Sequence, residues 1–114
     1  MKYLLQNYPG SSREPFEQLS ADEQQAIVDE YLAIGQSPEV VGGDQLQPVE
    51  TATTVRVENG ETLLTDGPFI DAKEHLGGYL VMELENLDAA IEIAARVPAA
   101  RMGGAVEVRP LVEK

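Results

Sequence analysis

TTVRVENGETLLTD, residues 53–66, is the stretch on which the fold of this chain turns. Asn59-Gly60 at its centre is the strongest two-residue hairpin signal, because both residues tolerate the positive φ of a type I′ turn. Strands over residues 51–58 and 61–65 follow. A two-residue loop sets Glu58 opposite Glu61, and counting back pairs Val57 with Thr62, Val55 with Leu64 and Thr53 with Asp66. Side chains alternate between faces, so Asp66 shares a face with Val55 and Leu64, and looks inward if that face is buried.

Working outward, Lys2–Tyr8 is a β-prone run stopped by Pro9-Gly10. Ser20 and Glu23 form a capping box, so a helix starts there, with an apolar stripe of Ile27, Val28, Tyr31, Leu32 and Ile34. Gly35 stands where a left-handed C-terminal cap is wanted, and Pro38 forbids resumption. GGDQLQP, residues 42–48, reads as a loop or a short edge segment. Beyond the hairpin, residues 79–84 alternate Leu80, Met82 and Leu84 against Tyr79, Val81 and Glu83, the pattern of a strand. Asn86 caps a second helix with the stripe Leu87, Ala90, Ile91, Ala94 and Val97, ended by Pro98, and its alanines imply close packing on a sheet. Residues 105–112 make a final strand with Pro110 near its edge. The order is strand, helix, hairpin, strand, helix, strand: an α+β meander with two helices over one face of an antiparallel sheet. No helix remains for the other face, and its apolar positions call for a second copy, hence a twofold homodimer.

Composition limits the function. At 114 residues there is one domain with one modest core. Hydrophobic residues at 43% and charged residues at 25% are values of a globular protein rather than a disordered one. Twenty acidic against 8 basic side chains give a net charge of -12, a surface that repels nucleic-acid phosphate and anionic lipid. Direct nucleic-acid and membrane partners are therefore disfavoured. Without cysteine there is no disulfide, thiolate nucleophile or thiolate metal site, and one histidine makes no zinc constellation. No metal or cofactor is expected. No run approaches the roughly 20 apolar residues of a membrane span, and the N-terminus is not a signal peptide, so a cytoplasmic protein is expected.

The chemistry concentrates in TDGPFIDAKEHLGGY, residues 65–79, too broken for one helix or strand. Asp66-Gly67-Pro68-Phe69 should form a rigid corner, since Pro68 fixes its own φ and keeps Gly67 out of helical geometry. Asp71 and Glu74 repeat the capping-box pattern, so one helical turn to Leu76 is expected, stopped by Gly77-Gly78. Two readings stand side by side. In one, this scaffold presents a pocket: Asp66 as base or acceptor, Lys73 and Arg56 as anion holders, Glu74 beside them, and Tyr79 as hydroxyl donor or wall. Arg109 is a further cation able to orient an anionic ligand. In the other, Asp66 is a turn former, Lys73 and Glu74 are a solvated pair, Phe69 is a core plug and strand arginines pair with sheet carboxylates such as Glu107. His75 reads as an exposed turn residue without a partner, and not as a catalyst.

DGPF followed by KE and LGGY, preceded by GGDQLQP and TATTVR and followed by LDAAIEIAARVP and VEVRP, resembles the DGPF-domain branch of the YCII-related family. The resemblance runs from Lys2 to about Val112. It implies a single domain over residues 1–114, a ferredoxin-like βαββαβ sandwich with an added β-hairpin, dimerising as an α+β barrel. It places the family motif on Asp66, Gly67, Pro68, Phe69, Lys73, Glu74, Gly77, Gly78 and Tyr79, with Arg56, Glu107 and Arg109 flanking. The wider superfamily is associated with a His-Asp pair that includes the first helix, but here that helix offers Gln24 and Gln25 and no histidine. The resemblance thus implies either a protein that binds or transforms a small polar or anionic metabolite, or a non-catalytic accessory protein linked to sigma-factor-controlled transcription. The residue types name no reaction.

Overall fold

The computed structural model describes residues 1–10, 14–69 and 75–113. Its elements are β1 (Lys2–Tyr8), α1 (Glu14–Glu17), α2 (Ala21–Gly35), β2 (Val40–Gln45), β3 (Thr53–Glu58), β4 (Glu61–Asp66), β5 (Gly78–Glu83), α3 (Leu87–Arg96) and β6 (Ala105–Pro110), with 3-10 turns at Val49–Thr51 and Pro98–Arg101. Four strands form one antiparallel sheet in the order β2-β5-β1-β6. That is an α+β fold with the strand order of a ferredoxin-like unit.

The sheet has one covered face. Tyr3 and Leu5 of β1, Met82 of β5 and the adjoining Leu84 point the same way and meet Ala90 and Ala94 of α3. Met82 and Ala90 have no exposed surface, so α3 sits close on the strands, as its alanines require. Asn86 caps α3 by accepting from the Ala89 amide at 2.9 Å. The stripe differs from the expected one: Leu87 and Ile91 are exposed, while Ile93 packs partly buried beside Ala94 and Val97. A helix this close to a sheet admits small residues along its line of contact, and the larger ones flank it.

The capping box of α2 is complete, with the Glu23 amide donating to Ser20 Oγ at 3.1 Å and the Ser20 amide donating to Glu23 Oε1 at 3.3 Å. Its C-terminus corrects the sequence reading. Gly35 is not left-handed; the cap is Gln36, at φ -95°, whose amide reaches the Ile34 and Leu32 carbonyls. Ser37 Oγ donates to the Ile34 carbonyl at 2.7 Å, so the last carbonyls are satisfied without a left-handed residue. Of the α2 stripe only Ile27 and Ile34 are buried, and Val28, Tyr31 and Leu32 are exposed. Tyr31 instead ties the helix to the Pro98–Arg101 turn, its hydroxyl oxygen accepting from the Ala99 amide at 3.1 Å.

Residues 42–45 prove to be strand: β2 pairs with β5 at one edge of the sheet, with a register shift between Val40 and Gly42. At the opposite edge Pro110 ends β6 facing Tyr3. Between β2 and β5 the chain leaves the body to build the hairpin. Its register pairs Glu58 with Glu61, Val57 with Thr62, Val55 with Leu64 and Thr53 with Asp66, as Asn59 (φ 52°) and Gly60 (φ 81°) dictate. Among the described residues the hairpin joins no other strand. Apart from Thr54, every residue of β3 and β4 is exposed. It is an arm: the radius of gyration is 16.2 Å, against about 13 Å for a compact domain of this length. Among the described residues no helix is long and apolar enough to cross a membrane.

Candidate functional site

The arm is rooted by hydrogen bonds between the two chain segments that enter and leave it. The Gly67 amide donates to the Ala52 carbonyl at 2.7 Å, and Thr54 Oγ1 donates to the Gly67 carbonyl at 2.8 Å. Gly67 holds φ +100°, a conformation that any side chain would strain, and Pro68 then carries the chain away from the strand. On the body side, the Leu46 amide donates to the Gly77 carbonyl and the Gly77 amide to the Asn7 carbonyl, each at 2.8 Å. The DGPF corner and the glycine pair thus fix the two ends of the connection on which the chemistry concentrates.

Between these anchors lies an open cleft of about 520 Å³, lined by Tyr8, the segment Leu46–Val49, Thr51, Ala52, Pro68, Phe69, His75 and Leu76. Its walls are mostly proline, leucine and aromatic, with Tyr8, Gln47, Thr51 and His75 as the residues that carry polar side-chain groups; the Tyr8 hydroxyl donates to Glu107 Oε2 at 3.5 Å and Thr51 Oγ1 to the Pro48 carbonyl at 2.7 Å. Apolar walls with a few polar groups suit a small ligand, and the volume falls in the range of such sites, about 300–1,000 Å³. His75 is half-buried rather than exposed. Phe69 is no core plug: it is 71% exposed, and the Arg56 guanidinium lies 5.9 Å from its ring centroid. A second depression, about 470 Å³, lies at the chain ends beside Met1, Lys2 and Glu83. There the N-terminal ammonium is already held by Glu83 at 3.2 Å and the Leu84 carbonyl at 3.0 Å.

The remaining sequence-selected residues divide between two places. Tyr79 and Arg109 lie on the face of the main sheet opposite the one on which α3 packs, with Leu4, Gln6, Tyr8, Asp44, Val81 and Glu107, as alternation from the buried Tyr3, Leu5 and Met82 requires. Gln6 stands between Tyr79 and Glu107 in register, and its Oε1 is buried without a hydrogen-bond partner among the described residues. Arg109 Nη2 is 3.4 Å from Glu107 Oε1, the strand-arginine pairing read from the sequence. Asp66 and Arg56 are on opposite faces of the arm. Asp66 is exposed and does not line the cleft, and Arg56 pairs with Glu58 at 2.9 Å. One chain therefore does not gather Asp66, Arg56, Tyr79 and Arg109 around one pocket. Lys73, Glu74 and the turn expected from Asp71 lie outside the described residues.

Sequence reasoning missed His75 as a lining residue. The available signal was its place two residues before Gly77-Gly78, where the chain must return to the sheet beside the 46–52 segment.

Comparisons with known proteins agree with this architecture. The model of the YCII-related domain matches residues 1–114. The chain is 36% identical over 87 residues to the uncharacterized protein R00369 of Rhizobium meliloti strain 1021, spanning 75% of this chain and 68% of that protein. Among solved structures it resembles 5-chloro-2-hydroxyhydroquinone dehydrochlorinase (TftG) from Burkholderia phenoliruptrix AC1100, in complex with 2,5-dihydroxybenzoquinone. The TM-score is 0.53 over 100% of this chain and 96% of that one. At 17% identity that likeness concerns the fold alone. With its whole length matched, the chain belongs to the family of proteins built on the YCII-related domain.

Proposed function

We propose that this is a cytoplasmic, homodimeric YCII-like protein of the DGPF branch that binds or transforms a small polar or anionic metabolite. The site is the cleft lined by Pro68 and Phe69. The observation that carries this reading is the cleft itself: both ends of the motif-bearing connection wall it, and His75 and Tyr8 are among its lining residues. His75 and Tyr8 are its proton-handling and hydrogen-bonding groups, and Arg56, beside Phe69, is the anion holder at its rim. The branch assignment rests on the DGPF, KE and LGGY motifs, and the dimer on a sheet face that bears Leu4, Val81 and Tyr79 and lies opposite the one on which α3 packs. TftG acts on a hydroxylated ring compound, and its bound dihydroxybenzoquinone is a fitting first probe because flat oxygenated rings suit proline and phenylalanine walls.

One observation favours the second reading, a non-catalytic accessory protein in sigma-factor-controlled transcription with a purely structural DGPF corner. Asp66 lies outside the cleft lining, while Gly67 closes the root of the arm.

The chain has one histidine, so its ring resonances are unambiguous by NMR. Titration with 2,5-dihydroxybenzoquinone, hydroxybenzoates and small dicarboxylates should move them saturably for at least one class, and Phe69→Ala should weaken that binding about tenfold, the loss of one stacking wall. Ring resonances that stay put with every compound would favour the accessory reading.

A further inference from the structure

We infer that Asn59, at the tip of the arm, is a site of spontaneous covalent modification that converts it to aspartate and isoaspartate. The Gly60 backbone nitrogen attacks Asn59 Cγ, the Cγ–Nδ2 bond breaks, and the side-chain nitrogen leaves as ammonia with the Gly60 proton. Water then opens the resulting cyclic imide: attack at Cγ restores the main chain and leaves aspartate, and attack at the main-chain carbonyl carbon leaves isoaspartate. One water is consumed, one ammonia is released, and nothing is oxidised or reduced. The step needs a backbone nitrogen that no neighbouring side chain crowds and no hydrogen bond holds. Two acyl-glycine pairs able to close such a ring flank β4, Asn59-Gly60 and Asp66-Gly67. At the second the nucleophile is committed, because the Gly67 amide donates to the Ala52 carbonyl at 2.7 Å. At the first, both residues are exposed, a Cβ added to Gly60 would meet nothing within 4 Å, and among the described residues the Gly60 amide donates to no backbone carbonyl. Asn7 and Asn86 precede Tyr8 and Leu87, whose side chains crowd the attack. Asn7 lies within β1, and Asn86 Oδ1 already accepts from the Ala89 amide.

Ring closure also needs the turn to open, since the left-handed conformation of Asn59, at φ 52°, belongs to the closed hairpin. That opening is cheap here. A two-stranded hairpin alone is marginal in water, and among the described residues β3 and β4 join no other strand and, apart from Thr54, are exposed throughout. The free energy of opening a segment falls with the contacts it makes, so the tip of this arm spends much of its time accessible to the reaction. The product undoes what the turn dictates. Isoaspartate inserts one more carbon into the main chain of a two-residue turn, so Glu58 no longer faces Glu61 in register. Either product places a new carboxylate between those two and adds a negative charge to a chain already at -12.

Incubation of the full chain at neutral pH, followed by mass-spectrometric peptide mapping and isoaspartate-specific methyl labelling, tests this against a synthetic peptide of residues 55–64. Asn59 should convert to both products at a rate within about a hundredfold of the peptide's, the factor left by an arm that opens readily. Asn7, Asn86 and Asp66 should stay unchanged over the same time. In the isoaspartate form, amide exchange should quicken at Val55 and Val57 and stay slow at Met82. Conversion of Asn59 slower than that bound overturns the proposal, because the closed turn then protects it. Comparable modification at Asp66, Asn7 or Asn86 overturns the claim that the free Gly60 amide selects the site. An isoaspartate form whose Val55 and Val57 amides exchange as in the parent overturns the loss of register and leaves the site standing.

Discussion

Strands β4 and β5 are both six residues long and both antiparallel, yet every residue of β4 is exposed while Met82 of β5 has no exposed surface. Strand β5 has a neighbour on each side and helix α3 across its face, whereas among the described residues β4 has only β3. Both hold a regular antiparallel register with a neighbour. The difference teaches that register is a local property, set by a turn and an alternating pattern, while burial depends on what else arrives. The body owes its persistence to a shared core, and among the described residues the arm has none.

The sharpest way to break this contrast is Met82→Ala. Removing a fully buried methionine should cost about 2–5 kcal/mol, read as a lower urea midpoint. A loss under about 1 kcal/mol would mean that the body has no single cooperative core. Next, Gly60→Val forces a β-branched residue into φ +81°, a strain of about 1–2 kcal/mol. Amide exchange should quicken at Val55 and Val57 and stay slow at Met82, and equal acceleration at all three would fuse arm and body into one folding unit. Ser20→Ala deletes half of a capping box, worth about 1 kcal/mol on the body midpoint. Smallest is Arg101→Ala. Its pairing with Glu30, at 2.7 and 2.9 Å, joins exposed side chains and should contribute under about 0.5 kcal/mol. A larger loss, or one insensitive to 1 M salt, would show that this contact is part of the body's core.

Much of the architecture could be read from residues whose neighbours in sequence do the physical work. Asn59-Gly60 set the hairpin register, Ser20 and Glu23 began α2, and Asn86 began α3. Gly35 misled because a glycine permits a left-handed cap but does not require one, and Gln36 and Ser37 closed the helix another way. Phe69 misled for a related reason. Its hydrophobicity suggested a plug, but the corner at Gly67-Pro68 aims it at a cleft, beside a guanidinium.

The candidate site was legible in part. The motif pointed to the connection that walls the cleft, and the choice of Tyr79 and Arg109 found two residues of one sheet face. It could not show that Asp66 and Arg56 ride on opposite faces of an arm standing away from that sheet, or that His75 folds back into the cleft.

By itself, then, the sequence determined what short-range interactions settle, where elements begin and which residues face each other across a tight turn, together with the net charge of -12. Only the tertiary structure decided that β2 joins the body at its edge, that the hairpin stays apart from it, and that a cleft opens where the two diverge. Those outcomes depend on competition between segments far apart in the chain for the same buried area, and no local pattern records which of them wins.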